Sequence, residues 1–394
     1  MVVCFALVRS RLRYNRKQAS KWDVACFSET RDLTPETFSM TSATISGAGT
    51  TAHDTRLAPA DFGDARAEFR ALLSGCGVYD LTGRSKVKLT RSDRTRWLNG
   101  MVSNNIRDLA PGHGVYAFLL NAQGHIQADL YAFNFGEHLL VDLERSQRDK
   151  VLQIFDHYII ADDVELADIS NTLTALGLTG PNSRQILESA GILAAHASAP
   201  ELAYLQFANL TWRAQPVTLL RSGEEAKESW QVWTAPEHVA ELWKALVESG
   251  AQPTGATALR LFRISRGIPQ LGEDIRERDL PQETAQMRAL SFTKGCYLGQ
   301  EIVERIRSRG AVHRQFTAFL VEGPLPAPGT KIQASFQDNE KEVGEITSSA
   351  DLPLPAGDRA VALGYLRHEA VGKTLRSGEA TLRPAKVPIE LDRW

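Results

Sequence analysis

From Gly310 onward the chain breaks into short runs of alternating apolar and polar residues. Phe316 to Val321, Lys331 to Phe336, Glu342 to Ser348, Ala360 to Leu366 and Glu379 to Leu382 carry the period of two that puts every second side chain on one strand face. Gly323-Pro324, Pro328-Gly329, Pro355-Ala356-Gly357 and Ser377-Gly378 separate them, residue types that end ladders and make turns. Strands this short, at this spacing, predict a small antiparallel barrel. A domain boundary follows near Gly310, and a chain of 394 residues leaves room ahead of it for a large core.

The preceding residues mix helix and strand. Phe62, Ala65, Phe69, Leu72 and Leu73 lie on one helix face, stopped by Ser74-Gly75. Strands are expected at Gly77 to Leu81 and Ser85 to Thr90, then a helix capped by Ser92 or Asp93 that turns Trp97, Leu98 and Met101 inward. Val115 to Leu120 and His125 to Phe135 form a hairpin about Asn121-Ala122-Gln123-Gly124. His138 to Leu143 is a strand leading into a helix over Arg145 to Ile159. A similar series follows: strand Thr172 to Leu178, turn Gly180-Pro181-Asn182, helix Ser183 to Ser189, strands within Ala203 to Arg221 and at Trp230 to Thr234, and a helix opened by Pro236. The echo predicts two related α+β halves. Thr257 to Ser265 is helical, and Gly267 to Glu283 is a long irregular loop of the functional kind.

Several classes are excluded. The net charge of −2 gives no bulk attraction to nucleic acid or anionic membrane, and no apolar run approaches the ~18 residues of a membrane span. The four cysteines form no C-x-x-C pair, which argues against a zinc ribbon or a chain-supplied four-cysteine cluster site; no metal is expected, and sparse thiols fit a reducing compartment such as the cytoplasm. No P-loop, H-E-x-x-H or G-x-S-x-G occurs. Residues 1–55 are a basic extension and linker, with Arg9, Arg11, Arg13, Arg16, Lys17 and Lys21 near the start. Three readings stay open for it: a disordered tail, an extension upstream of a start at Met40, or a transit peptide that would place the protein in the mitochondrial matrix.

Two positions carry chemistry. In Ser291-Phe292-Thr293-Lys294-Gly295-Cys296-Tyr297-Leu298-Gly299-Gln300-Glu301, glycines bracket a cysteine two residues after a lysine. Ile302, Val303 and Ile306 then recur at helical spacing, so Cys296 sits just ahead of a helix N-terminus, where the dipole and the Lys294 ammonium both favour thiolate. A free cysteine is more often a small buried hydrophobe, but these neighbours make no apolar nest. The second position is Asp129, on a strand after a tight turn, with Ile126, Leu130 and Ala132 around it. Desolvation there favours the protonated carboxyl unless a cation pairs with it, the environment from which a general acid or base is made; an ordinary edge-strand aspartate is the equal alternative.

Lys294-Gly295-Cys296-Tyr297-Leu298-Gly299-Gln300-Glu301 resembles the signature of the YgfZ family, folate-binding proteins related to the glycine-cleavage aminomethyltransferase and including mitochondrial iron–sulfur assembly relatives. Weaker similarity runs from about Asp61 to Pro388, and Val343 to Ser348 and Ala362 to Tyr365 resemble the family's barrel segments. The resemblance implies an aminomethyltransferase-like α+β domain of two similar halves over residues 56–310, then a β-barrel over 311–394. It implies tetrahydrofolate or a derivative as ligand, iron–sulfur client or assembly proteins as partners, and a monomer. Cys296, Lys294 and Asp129 are the implied reactive groups. Asp129, Tyr116, Gly295, Tyr297, Gly299, Gln300 and Glu301 are the implied folate contacts. Tyr116, Tyr131, Phe133 and Trp233 are aromatic candidates for a pterin slot, against core packing. Arg305, Arg307, Arg309 and Arg314 are candidates for the glutamate tail, against a solvated face on which Glu301 pairs with Arg305 and Glu304 with Arg307. The transferases carry an acidic pair where this chain has Ala128-Asp129. Their pterin-holding glycine–glutamate stretch corresponds to Gly223-Glu224, and Ser265 and Arg266 stand where they place an acid. The expectation is therefore a tetrahydrofolate-binding factor for iron–sulfur cluster assembly or repair. The alternatives are a folate-dependent one-carbon transferase or demethylase using Asp129, and a folate-gated scaffold.

Overall fold

The computed structural model describes residues 59–194, 201–223, 228–310, 312–336 and 339–390, so the readings of residues 1–55 lie outside the described residues. Helix α1 (Ala65–Ser74) starts where the Asp64 carboxylate accepts from the amides of Arg66 and Ala67, and it buries Phe69 and Leu72. Strand β1 (Gly77–Asp80) follows it.

The first half runs β2 (Arg84–Thr90), α2 (Arg94–Met101), β3 (His113–Leu120), β4 (Ile126–Asn134), β5 (Leu139–Glu144), α3 (Arg145–Tyr158) and β6 (Glu165–Asp168). The second runs β7 (Thr174–Thr179), α4 (Ser183–Ser189), β8 (Phe207–Trp212), β9 (Gln215–Arg221), β10 (Ser229–Thr234) and α5 (Val239–Glu248). Then come β11 (Gln252–Pro253) and α6 (Ala256–Ser265). One sheet has the order β3-β4-β5-β2-β6, the other β11-β1-β7-β10-β9-β8. Within them β3-β4-β5-β2 and β8-β9-β10-β7 are the same arrangement, which is the duplication the sequence echo suggests. Thr90 ends its strand four residues before α2, and Thr179 ends its strand four residues before α4.

Each sheet is covered on both faces. Val87, Leu89, Val141 and Leu143 pack with Trp97, Leu98, Val151 and Phe155 of the first half's helices. Leu176, Leu178, Trp230 and Val232 pack with Ile186, Leu187, Leu242 and Leu246 in the second. The opposite faces meet in a shared core of Tyr116, Phe118, Phe133, Leu140, Ala175, Phe207, Leu220 and Trp233. The sheets are also stitched edge to edge, Gly114 N–H donating to Leu205 O at 2.7 Å and Phe207 N–H to Gly112 O at 2.9 Å.

Helix α7 (Gln300–Arg309) leads into the closed antiparallel barrel. Its strands are β12 (Arg314–Glu322), β13 (Lys331–Phe336), β14 (Asn339–Leu352), β15 (Arg359–Arg367), β16 (Leu375–Ser377) and β17 (Ala380–Ala385). Phe316, Leu352, Leu363 and Tyr365 pack the barrel against Phe69 and Leu72 of α1 and Ile264 of α6. Residues 267–283 are irregular but fastened. Buried Asp274 accepts from Arg263 at 2.5 Å and from the hydroxyls of Thr347 and Ser348. Buried Asp279 accepts from Arg314 at 2.7 Å and Tyr365, while its carbonyl takes the Ile126 N–H at the start of β4.

Differences from the sequence reading are local. The short strands β6, β11 and β16 carry too little pattern to register a period. Asp93 occupies the N-cap position of α2 without capping it, because its carboxylate is taken by the Asp163 amide at 2.9 Å. Pro236 opens a 3-10 turn, and α5 begins at Val239.

Candidate functional site

Strand register explains the setting of Asp129. The β4–β5 pairing runs from Asn134↔Leu139 to Tyr131↔Asp142, after which the chain leaves β5 for α3. Asp129 thus lies just beyond the ladder, with a backbone amide to satisfy. Gln147, in the first turn of α3, supplies what the strand does not. Its Oε1 accepts the Asp129 N–H at 3.0 Å and its Nε2 donates to Asp129 Oδ1 at 2.9 Å. Tyr116 of β3 donates its hydroxyl to Oδ2 at 2.9 Å. Burial, and then the Asp129 charge, push the Tyr116 phenol well above its ordinary range, so it remains a donor. The Arg288 guanidinium lies over the Tyr116 ring at 5.2 Å, and the Tyr131 ring is 5.0 Å away on the same face.

Beyond Tyr131 lies a cluster that the sequence reading missed. Lys86 and Asp142 are both buried, with Nζ 2.7 Å from Oδ1. Arg84 Nε donates to the same carboxylate at 2.9 Å and Nη1 to Glu144 at 2.8 Å. Lys86 Nζ sits over the Trp233 ring of the other half at 4.8 Å, and Arg84 over Tyr131 at 5.7 Å. Burial opposes the Asp142 charge, but Arg84 and Lys86 outweigh it and hold the carboxyl below its usual range. Burial pulls Lys86 down, partly offset by Asp142. The alternation in β2 marks Lys86 as facing away from Val87 and Leu89; only the duplicated architecture shows that this face is also covered.

The cysteine loop packs on the first half. Ser291 N–H donates to Ser103 O and Leu298 N–H to Gly100 O, each at 3.0 Å. Cys296 is a free, exposed thiol four residues ahead of α7, as its neighbours imply. Gly299 caps that helix at φ +81°, and a Cβ there would stand 2.5 Å from Asn121 O. Gly295 is open, with the Arg107 guanidinium the near neighbour. Tyr297 is buried in the shared core with its hydroxyl unpartnered, and burial pushes its phenol up to about 12. Gln300 accepts from the Tyr297 amide at 3.3 Å, and Glu301 pairs with Arg305 on the surface.

Lys294 carries its ammonium to main-chain acceptors that its place in the sequence does not announce. Its Nζ points into the carbonyls of Asn99, Val102 and Asn104, at 2.5, 2.7 and 2.7 Å. Burial and then the Arg107 guanidinium pull its pKa down, to about 7, while the three carbonyls favour the ammonium. The loop is fastened to the end of α2 and to the β3–β4 turn. Arg305 and Arg307 follow the solvated-face reading, pairing with Glu301 and Glu304, whereas Arg314 is half-buried and pairs with the buried carboxylates of Asp279 and Glu283. The Arg309 side chain and Glu224 lie outside the described residues. Phe133 and Trp233 are core aromatics in edge contact at 5.0 Å.

Asn104 joins the two parts. Its carbonyl accepts Lys294, while its Nδ2 donates to Tyr116 O at 2.8 Å and to Arg288 O at 2.7 Å. Among the described residues no group of three or more His, Cys, Asp or Glu could hold a metal ion, and no helix is long and apolar enough to cross a membrane.

Known proteins resemble this chain along most of its length. Residues 33–294 match the family model for the GCVT N-terminal domain, and residues 306–389 that for the CAF17 C-terminal beta-barrel domain. The aminomethyltransferase of Rubrobacter xylanophilus is 26% identical over 337 residues, covering 84% of this chain and 86% of that protein. A putative chloroplastic transferase of Arabidopsis thaliana is 24% identical, covering 78% and 69% respectively. The crystal structure of glycine cleavage system aminomethyltransferase T from Bartonella henselae superposes with a TM-score of 0.73 at 17% identity, covering 86% of this chain and 92% of that one.

Proposed function

Because this chain belongs to the GCVT family and ends in the CAF17 type of barrel, we propose that it binds a reduced folate at Asp129 and uses the Cys296 loop to support iron–sulfur cluster assembly or repair in client enzymes. The observation that carries the folate reading is the setting of Asp129. One neutral donor addresses each carboxylate oxygen, and each oxygen keeps a lone pair for a further donor. A reduced pterin presents N–H donors along one flat edge, so the donor set fits. Asp129 would accept from that edge, with Tyr116 and Gln147 fixing its orientation. The folate supplies one-carbon chemistry or a folded-state signal when bound; the chain supplies the oriented acceptor and, on the neighbouring loop, an accessible thiol. The reading also takes the protein to act in the cytoplasm, as a monomer.

The names of the relatives favour a second reading, folate-dependent one-carbon transfer with Asp129 handling the proton. Calorimetry with tetrahydrofolate tests the shared premise: binding by the purified protein, weakened in Asp129→Ala, supports it, and no binding sinks both readings. Cys296→Ser then divides them. Loss of client cluster-enzyme activity with folate binding intact supports the assembly factor. Turnover of methylene-tetrahydrofolate that needs Asp129 and not Cys296 supports the transferase.

A further inference from the structure

A helix leaves its last carbonyls without intrahelical donors, and they must be satisfied from elsewhere. The end of α2 and the residues after it are satisfied almost entirely by the cysteine loop. Asn99 O, Val102 O and Asn104 O take the Lys294 ammonium, Gly100 O takes the Leu298 amide, and Ser103 O takes the Ser291 amide. We infer that Lys294 is a positioning residue: its ammonium fills a three-carbonyl cage at the end of α2 and thereby sets where the Cys296 loop lies.

The stoichiometry is specific. An ammonium has three donors, and three carbonyls converge on it within 2.7 Å. The Tyr297 ring closes a further side, with Nζ 4.9 Å from its centroid. A cation at a helix C-terminus also meets the negative end of the dipole. A guanidinium carries equal charge but presents its donors in a planar fork, which does not match three converging oxygens. The cage gives the ammonium's three donors to main-chain oxygens, so Lys294 acts on the thiol by placing it. Placement reaches further, because Asn104, one wall of the cage, also holds the backbone of Tyr116, whose hydroxyl orients Asp129. The inference deepens the proposed function and takes from it the premise that the position of Cys296 matters.

The test uses the full chain with Lys294→Met and Lys294→Arg. Iodoacetamide alkylation of Cys296 is followed against pH by peptide mass spectrometry, beside amide exchange. Expected for Lys294→Met is an unshifted alkylation midpoint, a plateau rate raised at least fivefold, and at least tenfold faster exchange at Ser291 and Leu298, with β12 amides unchanged. Lys294→Arg should loosen the same amides at an unshifted midpoint, and it decides the matter if the methionine variant does not fold. A midpoint raised by a unit or more in Lys294→Met and restored by arginine, with exchange unchanged, would overturn the inference in favour of electrostatic activation. Loss of protection spread through the barrel and both halves would also overturn it. Failure of tetrahydrofolate binding, or an inert Cys296→Ser, would instead strike the functional reading, and neither affects these readouts.

Discussion

The two halves share a strand order and differ in what they turn toward each other. Following one row of paired residues across the sheet, the first half reads Lys86, Asp142, Tyr131, Tyr116. The corresponding row of the second reads Ala175, Trp233, Thr218, Asn209. Asp129 lies two residues before Tyr131, and the residue two before Thr218 is Pro216. The second half shows that this sheet can form with an uncharged inner face. The charges of the first are therefore not a requirement of the fold, and buried ion pairs are weak stabilisers at best. The asymmetry sets the first half, with charges on its inner face, apart from the second, whose inner face is uncharged.

The comparison breaks most visibly at the buried pair. Asp142→Leu strands the Lys86 ammonium and should cost about 3–5 kcal/mol in urea unfolding, whereas Lys86→Met with Asp142→Leu should recover most of it. Near-equal losses in the single and double variants would show that the pair is not coupled. Next is ligand binding. Asp129→Ala should weaken tetrahydrofolate binding by about 10–100-fold, the worth of hydrogen bonds to a charged group, while Pro216→Ala leaves calorimetric affinity unchanged.

The thiols sharpen the contrast between halves at a smaller scale. Cys76 lies in the second half's core, where burial, against a contact from Ser183, pushes it up to about 11 from an ordinary 9.0. The folded thiol thus holds its proton longer than the unfolded one. That contribution is complete below pH 9 and lost as pH rises through 11, so stability should fall by up to about 3 kcal/mol across that window, and Cys76→Ala should flatten the slope. At neutral pH, Cys296 should alkylate far faster than Cys76. The smallest effect is on the surface, where Glu301→Gln breaks an exposed i,i+4 pair with Arg305 and should move stability by less than about 0.5 kcal/mol, with a weaker effect in high salt.

Much of this architecture is legible in the sequence. Alternation and turn residues specify the barrel because each such strand has one wet face. The helix faces of Phe69 and Leu72, or Trp97 and Leu98, follow from spacing alone. Cys296 could be placed ahead of a helix because glycines and a new period flank it. The illegible parts are those where a second sheet or loop changes the meaning of a residue. Lys86 alternates like a solvent-facing lysine and becomes buried only because the other half covers it. Lys294 is near Cys296 in sequence, yet its long side chain reaches acceptors about 190 residues earlier, as its separation of 190 from Asn104 shows. Gln147 carries no motif, and its role arises from the point at which β5 stops pairing.

The meeting of the hairpin turn with the N-terminus of α7 has one further consequence. A Cβ on Gly124 would fall 2.7 Å from the Ile302 side chain, and one on Gly299 would fall 3.2 Å from Gly124 itself. Where two segments touch through residues that lack side chains, their spacing is set by main-chain radii. A single added methyl group on either glycine would therefore force the hairpin turn and the start of α7 apart, and the cysteine loop that runs into that helix would shift with it.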